Sequence, residues 1–187
     1  MSAAISFFFE NFTLTFALVG LIIAAVICAV HRRRGHAAWA TFLNWFLLCG
    51  IGITYAWNGV VHTVFGDLAA ERIGWENNGF QAEVGFASLG VGLVGVYAFS
   101  RRAPFSLKLA ALIAPASFLW GAAGTHIADI VETGNMSPDN AGVVLYTDIF
   151  VPVVGFVLWG IAYVTRTRVA TVDAGFFTAT EVLDNRN

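Results

Sequence analysis

Five side chains in this 187-residue sequence have types and spacings that could do chemistry: His62, Glu83, His126, Asp129 and Asp148. Two neutral imidazoles with two or three carboxylates can complete a tetrahedral or octahedral shell around Zn, Mn or Fe. The same groups would suit a proton relay, because an imidazole titrates near ambient pH. His126 and Asp129 are spaced i, i+3, and Asn58 and His62 i, i+4, so each pair shares a helix face. Asn58, Gln81 and Tyr146 are the expected hydrogen-bonding support around those ligands. A b-type haem between His62 and His126 is a further alternative, less well suited because carboxylates adjoin both imidazoles. Each residue also has a plainer reading. His62 would sit at headgroup level, His126 and Asp129 would pair at a helix end, and Glu83 and Asp148 would favour the first turns of their helices.

The elements that must position these groups are membrane spans. The chain is 58% hydrophobic and only 12% charged, whereas a soluble domain carries roughly a quarter charged residues. Its mean hydropathy is +0.73. A net charge of −2 leaves no basic excess for phosphate backbones, which excludes nucleic acid as a partner. Cys28 and Cys49 lie in apolar runs, form no CxxC or CxxCH motif, and read as small buried hydrophobes.

A bilayer core takes roughly 20 mostly apolar residues to cross. The runs long enough are Phe12–Val30, Ala37–Val64, Gly79–Phe99, Ala103–Val131 and Gly142–Val164. The expected fold is therefore an all-α membrane protein, a bundle of about five transmembrane helices over residues 1–168 with a cytoplasmic tail at 169–187. The first run has no basic residue before it and Arg32, Arg33 and Arg34 after it. That is the reverse of a signal peptide, so it is expected as a retained helix with an outer N-terminus. Five spans put Arg32, Arg33, Arg34, Arg101, Arg102, Lys108, Arg166, Arg168 and Arg186 on one side, nine against Arg72 alone. Basic residues concentrate on the cytoplasmic side. The expected location is the inner (plasma) membrane, multi-pass, with lipid as the surrounding partner.

Two short turns join neighbouring antiparallel helices on the basic side, while the outer connections carry Glu76-Asn77-Asn78-Gly79 and Gly134-Asn135-Met136-Ser137-Pro138-Asp139-Asn140. Pro115 and Pro152 fall inside spans, where neighbouring helices can accommodate them. Gly85, Ser88, Gly92 and Gly95 recur every three or four residues, a face that lets another backbone approach, and Gly121 with Gly124 looks like the same device in span four. The chain also reads as two tandem hairpins after an N-terminal helix. Trp57, Gly59 and His62 are followed 21 residues on by Glu83; Trp120, Gly121 and His126 are followed 22 residues on by Asp148. That is a weak parallel repeat.

Counting about 1.5 Å per residue from the cytoplasmic helix ends places Glu83 and Asp148 about 25 Å away and His126 about 30 Å, with Asp129 and His62 somewhat further. All fall in one layer near the outer boundary of a core about 30 Å thick. Ionisable groups at such depth face the bundle interior or a wet cavity.

The segments Gly74-Trp75, Phe80–Leu89, Trp120–Ile127, Gly134-Asn135, Asn140-Ala141-Gly142 and Tyr146-Thr147-Asp148 resemble a family of small multi-span bacterial membrane proteins catalogued as a domain of unknown function. The resemblance covers about residues 40–160. It implies a bacterial origin and a shared importance for Gln81, Glu83, His126 and Asp148, and it brings no activity. A retinal protein needs a lysine deep in a span, and Lys108, the only lysine, sits at the cytoplasmic end. There is no phosphate loop or nucleophile elbow. The leading expectation is a non-catalytic or transport-linked protein with an outward-facing metal or proton site. The alternatives are a structural or accessory subunit bound to another membrane protein or to its own copies, and a redox or hydrolytic membrane enzyme.

Overall fold

A computed structural model describes residues 11–184, with side chains as far as residue 166. The expectations for the N-terminal segment before residue 11 and for the side chains of the tail from 169 lie outside the described residues.

The expected all-α architecture is present. Among the described residues, five helices are long and apolar enough to cross a bilayer: Phe12–Val30, Gly35–Val64, Gly79–Ala98, Phe105–Thr133 and Pro138–Arg166. Helix α1 spans Phe12–Val30, and its small residues Ala17, Gly20 and Ala24 are buried while Ile22, Val26 and Val30 face outward. The second span has three parts: α2 (Gly35–Trp45), a π-helical stretch over Phe46–Ile53, and α3 (Thr54–Val64). In the wide turns, Thr54 Oγ1 donates five residues back to Cys49 O at 3.0 Å. Then come α4 (Gly66–Ile73), α5 (Gly79–Ala98), α6 (Phe105–Thr133), α7 (Pro138–Ala141) and α8 (Val143–Asp184).

Helix α4 has no counterpart among the expected spans. Its Ala69 and Ala70 are buried, Asp67 and Arg72 stand in its first and last turns, and it stops at Gly74, whose φ of 81° is left-handed. Trp75 N donates to Ala70 O across that stop at 2.9 Å, closing the helix end. Asn78 then caps α5 by accepting from Phe80 N at 2.9 Å.

The bundle is two tight helix pairs, α3 with α5 and α6 with α8, and α1 lies beside the π-helical stretch and α2. The expected small-residue face on α5 is confirmed: Gly85, Ser88, Gly92 and Gly95 are all buried. A Cβ on Gly92 would lie 2.8 Å from Ala56 N, and one on Gly95 2.7 Å from Gly52 N. The matching expectation for α6 is corrected, because nothing stands within 4 Å of a Cβ at Gly121 or Gly124. Those glycines open onto space instead of admitting a helix.

The packed core lies toward the basic end, around Leu43, Phe46, Leu47, Leu112, Leu158 and Ala162. Lys108 is buried there at 4% exposure. Its ammonium donates to Asn44 Oδ1 (2.7 Å), Ala98 O (2.7 Å) and Ser100 O (2.9 Å), so the charge sits on carbonyls at and just beyond the C-terminus of α5. Neighbouring helices bond to the backbone near the prolines within α6 and α8: Tyr55 Oη donates to Pro115 O at 3.3 Å and Trp120 Nε1 to Ile149 O at 3.2 Å, three residues before Pro152. Both cysteines are free thiols, Cys49 buried and Cys28 half-buried.

Candidate functional site

Toward the loop-rich end the two helix pairs separate around a cavity of about 1220 Å³. Apolar groups such as Val61, Phe65, Phe80, Val84, Phe118 and Leu119 form most of its wall. The polar groups set into that wall include Asn58, His62 and Gln81 from the first pair and His126 and Asp148 from the second. Depth, chosen by counting residues, thus brings five of the eight expected site and support residues to one cavity.

On the first wall, His62 Nδ1 lies 2.5 Å from Gln81 Oε1. A carbonyl oxygen accepts, so Nδ1 carries the hydrogen and a neutral ring keeps its lone pair at Nε2. Asn58 Nδ2 donates to Ser88 Oγ at 2.9 Å, tying the cavity wall to the small-residue face of α5. On the second wall, His126 is 6% exposed. Its Nδ1 lies 2.6 Å from Oδ1 of Asn140, a fully buried side chain whose Nδ2 donates to Asn135 O at 2.8 Å. That second bond fixes the amide orientation and hence the protonated Nδ1 on His126. Its Nε2 stands 4.0 Å from Asp148 Oδ2.

The loops close over this wall. Trp75, placed by the turn at Gly74, stacks on His126 with ring centroids 5.7 Å apart and an interplanar angle of 26°. Its indole N–H donates to Asp129 at 3.0 Å. Arg72 forks onto Asp139 at 2.6 and 2.8 Å, linking α4 to α7 at the cavity edge.

Three expected site residues stand elsewhere. Glu83 is exposed and lines no part of the cavity. Tyr146 is 61% exposed on the outside of α8. Asp129 shares Trp75 with His126, as i, i+3 spacing requires, but lies at the rim, where Asn135 Nδ2 (2.7 Å) and Thr133 Oγ1 (3.0 Å) also donate to it. The expected convergence of all five ligands is therefore not what the geometry gives. Among the described residues no three His, Cys, Asp or Glu side chains are grouped to hold a metal ion. The sequence rhyme fails at the same place, since Glu83 faces out where Asp148 faces in.

A signal for this was present. Gln81 precedes Gly85 by four residues and lies on its face, whereas Glu83 precedes it by two, about 200° around the helix. Tyr146 and Asp148 stand in the same relation. Arg72, Trp75, Asp139 and Asn140 stand outside the expected set of site residues; their partners lie 14 to 67 residues away in the chain.

These features define an all-α membrane bundle with a mainly apolar, half-open cavity and buried or half-buried ionisable groups in its wall. Residues 10–168 match the family described as a family of unknown function (DUF6790), and the chain belongs to that family. The match takes in the first helix, which the resemblance had left out. No curated protein and no solved structure matches the chain significantly.

Proposed function

We propose that this protein binds a small amphipathic molecule within the bilayer, one with an apolar body and a hydrogen-bonding head, and that His62, His126 and Asp148 receive the head. The carrying observation is one mainly apolar cavity whose wall holds all three ionisable side chains. A concave apolar site with a few convergent polar groups is the usual form of a small-molecule pocket. Ionisable side chains at membrane depth are costly to keep, which favours a role for them. By the distribution of basic residues, the loop-rich end faces outward, the tail is cytoplasmic and the membrane is the inner (plasma) membrane. The head would then meet the protein in the outer half of the bilayer.

Gly121 provides the test. It lines the cavity, and a Cβ there meets nothing within 4 Å. Gly121→Trp should narrow the cavity without moving the backbone. Wild-type protein in lipid nanodiscs should enhance the fluorescence of the neutral probe N-phenyl-1-naphthylamine above that of empty nanodiscs, and Gly121→Trp should reduce the gain. Equal signals from the two proteins would overturn the reading.

A second reading rests on the His126–Asp148 pair at 4.0 Å. It would hold a divalent ion such as Zn, Mn or Fe through two protein ligands, or pass a proton between them, with Glu83 and Asp129 taking no part. Stoichiometric metal in purified wild type that is lost in His126→Ala would favour the ion. A Soret band would instead identify haem.

A further inference from the structure

We infer that the cavity exchanges a lipophilic cation for a proton, with the Asp148 carboxylate as the group the two occupants share; this rests on the reading of the cavity as a binding site. Asp148 is 4% exposed and lines the cavity. Among the described residues no donor hydrogen-bonds to its carboxylate, and its ion-pair contact is the His126 ring at 4.0 Å. The other acids near the cavity are provided for differently. Asp139 is gripped by Arg72, Asp129 at the rim takes three side-chain donors, and Glu76 is exposed.

An ionised carboxylate accepts hydrogen bonds at about four lone-pair sites and donates none. Buried without hydrogen-bond donors, it is strongly disfavoured unless a countercharge stands beside it. With the His126 ring neutral, the group therefore holds either a proton or a cation delivered from outside the chain. The titratable and charged groups sharing the cavity are His126 on α6, Tyr55 and His62 on α3, Arg72 on α4, Glu76 after it, and Asp139 on α7. Helix α1 and the π-helical stretch also pack on α8 and bring no charged side chain to the cavity. One guanidinium against three acids favours a cationic head over an anionic one. The rings of Tyr55, Trp57, Trp75 and Phe118 in the wall supply π faces and apolar surface for its organic substituents.

The step conserves atoms and charge. A cation entering beside protonated Asp148 forms an ion pair as the carboxyl O–H bond breaks, and the proton leaves to solvent by way of His126 Nε2. No other bond changes. Acid solution must therefore weaken cation binding and alkaline solution strengthen it.

The experiment uses full-length protein in uncharged phosphatidylcholine nanodiscs, with tetraphenylphosphonium as the cation and N-phenyl-1-naphthylamine as the neutral probe. In weakly buffered, mildly acid solution the wild type should release up to one proton per phosphonium bound. Asp148→Asn should bind phosphonium more than about tenfold more weakly and release no proton. Asp148→Glu should restore both signals. Phosphonium binding that is equal in wild type and Asp148→Asn, or that releases no proton from the wild type at any pH, would overturn the exchange and leave the cavity reading intact. Failure of the wild type to bind either probe would overturn both. Proton release from the wild type decides even if Asp148→Asn does not fold.

Discussion

Asn140 shows how a residue with no obvious chemistry can set the state of one that has it. With no exposed surface, its amide spends Oδ1 on His126 and Nδ2 on Asn135 O. Asn140→Leu would keep the volume and leave the buried His126 Nδ1 unpaired, a loss of about 1–3 kcal/mol. The expected result is a lower thermal unfolding midpoint in detergent, and an unchanged midpoint would show that the His126 ring is held by other means. Nothing in the sequence around Asn140 distinguishes it from Asn135 or Asn77. What was legible at this scale was depth: a rise per residue put His62, His126 and Asp148 at one level. What was misread was azimuth. Glu83 and Tyr146 have the right height and face the wrong way, and the buried glycine face of α5 already carried that information for Glu83.

Glycine on α5 and glycine on α6 look alike in the chain and do opposite things. On α5 the missing side chains admit α3 and the π-helical stretch; on α6 Gly121 widens a cavity. Hydropathy cannot separate the two cases, because the distinction belongs to the neighbour. The contrast within α5 is sharper still. Gly92→Ala would press a methyl group to 2.8 Å from Ala56 N, while Gly90→Ala meets nothing within 4 Å. Gly92→Ala should cost about 1–3 kcal/mol through overpacking, and Gly90→Ala should be neutral or gain up to about 1 kcal/mol of helix propensity. Detergent-solubilised folded yield and unfolding midpoint check the pair; similar losses in both would refute the close approach of α3. Helix α4 was not anticipated because eight residues of mixed polarity resemble a loop, although Gly74 marks its end. The Arg72–Asp139 bridge that fastens it to α7 is partly exposed, so it should add no more than about 1 kcal/mol. Exchanging the charges, Arg72→Asp with Asp139→Arg, should recover unfolding behaviour lost in either single variant.

At the scale of the molecule, span number, helix pairing and the asymmetry of basic residues were all readable, since long apolar runs and short turns leave few alternatives. The orientation they imply is open to direct measurement: an epitope after Asn187 should be cut by protease added to inside-out vesicles and protected in intact spheroplasts. The cavity itself was not readable, because its walls are assembled from segments of separate helix pairs, Thr54 to Val84 and Phe118 to Asp148. The π-helical stretch Phe46–Ile53 ties these scales together. It lies between the half of the second span that belongs to the core and the half that carries Asn58 and His62, and so it sets the rotational phase between them. Removing a single residue there would turn everything beyond it by roughly 100° and draw it back by about 1.5 Å. Hydropathy, charge and mass would scarcely change, yet the imidazole would be swung off its wall. The number of residues in that eight-residue stretch is thus as much a condition of the site as any side chain within it.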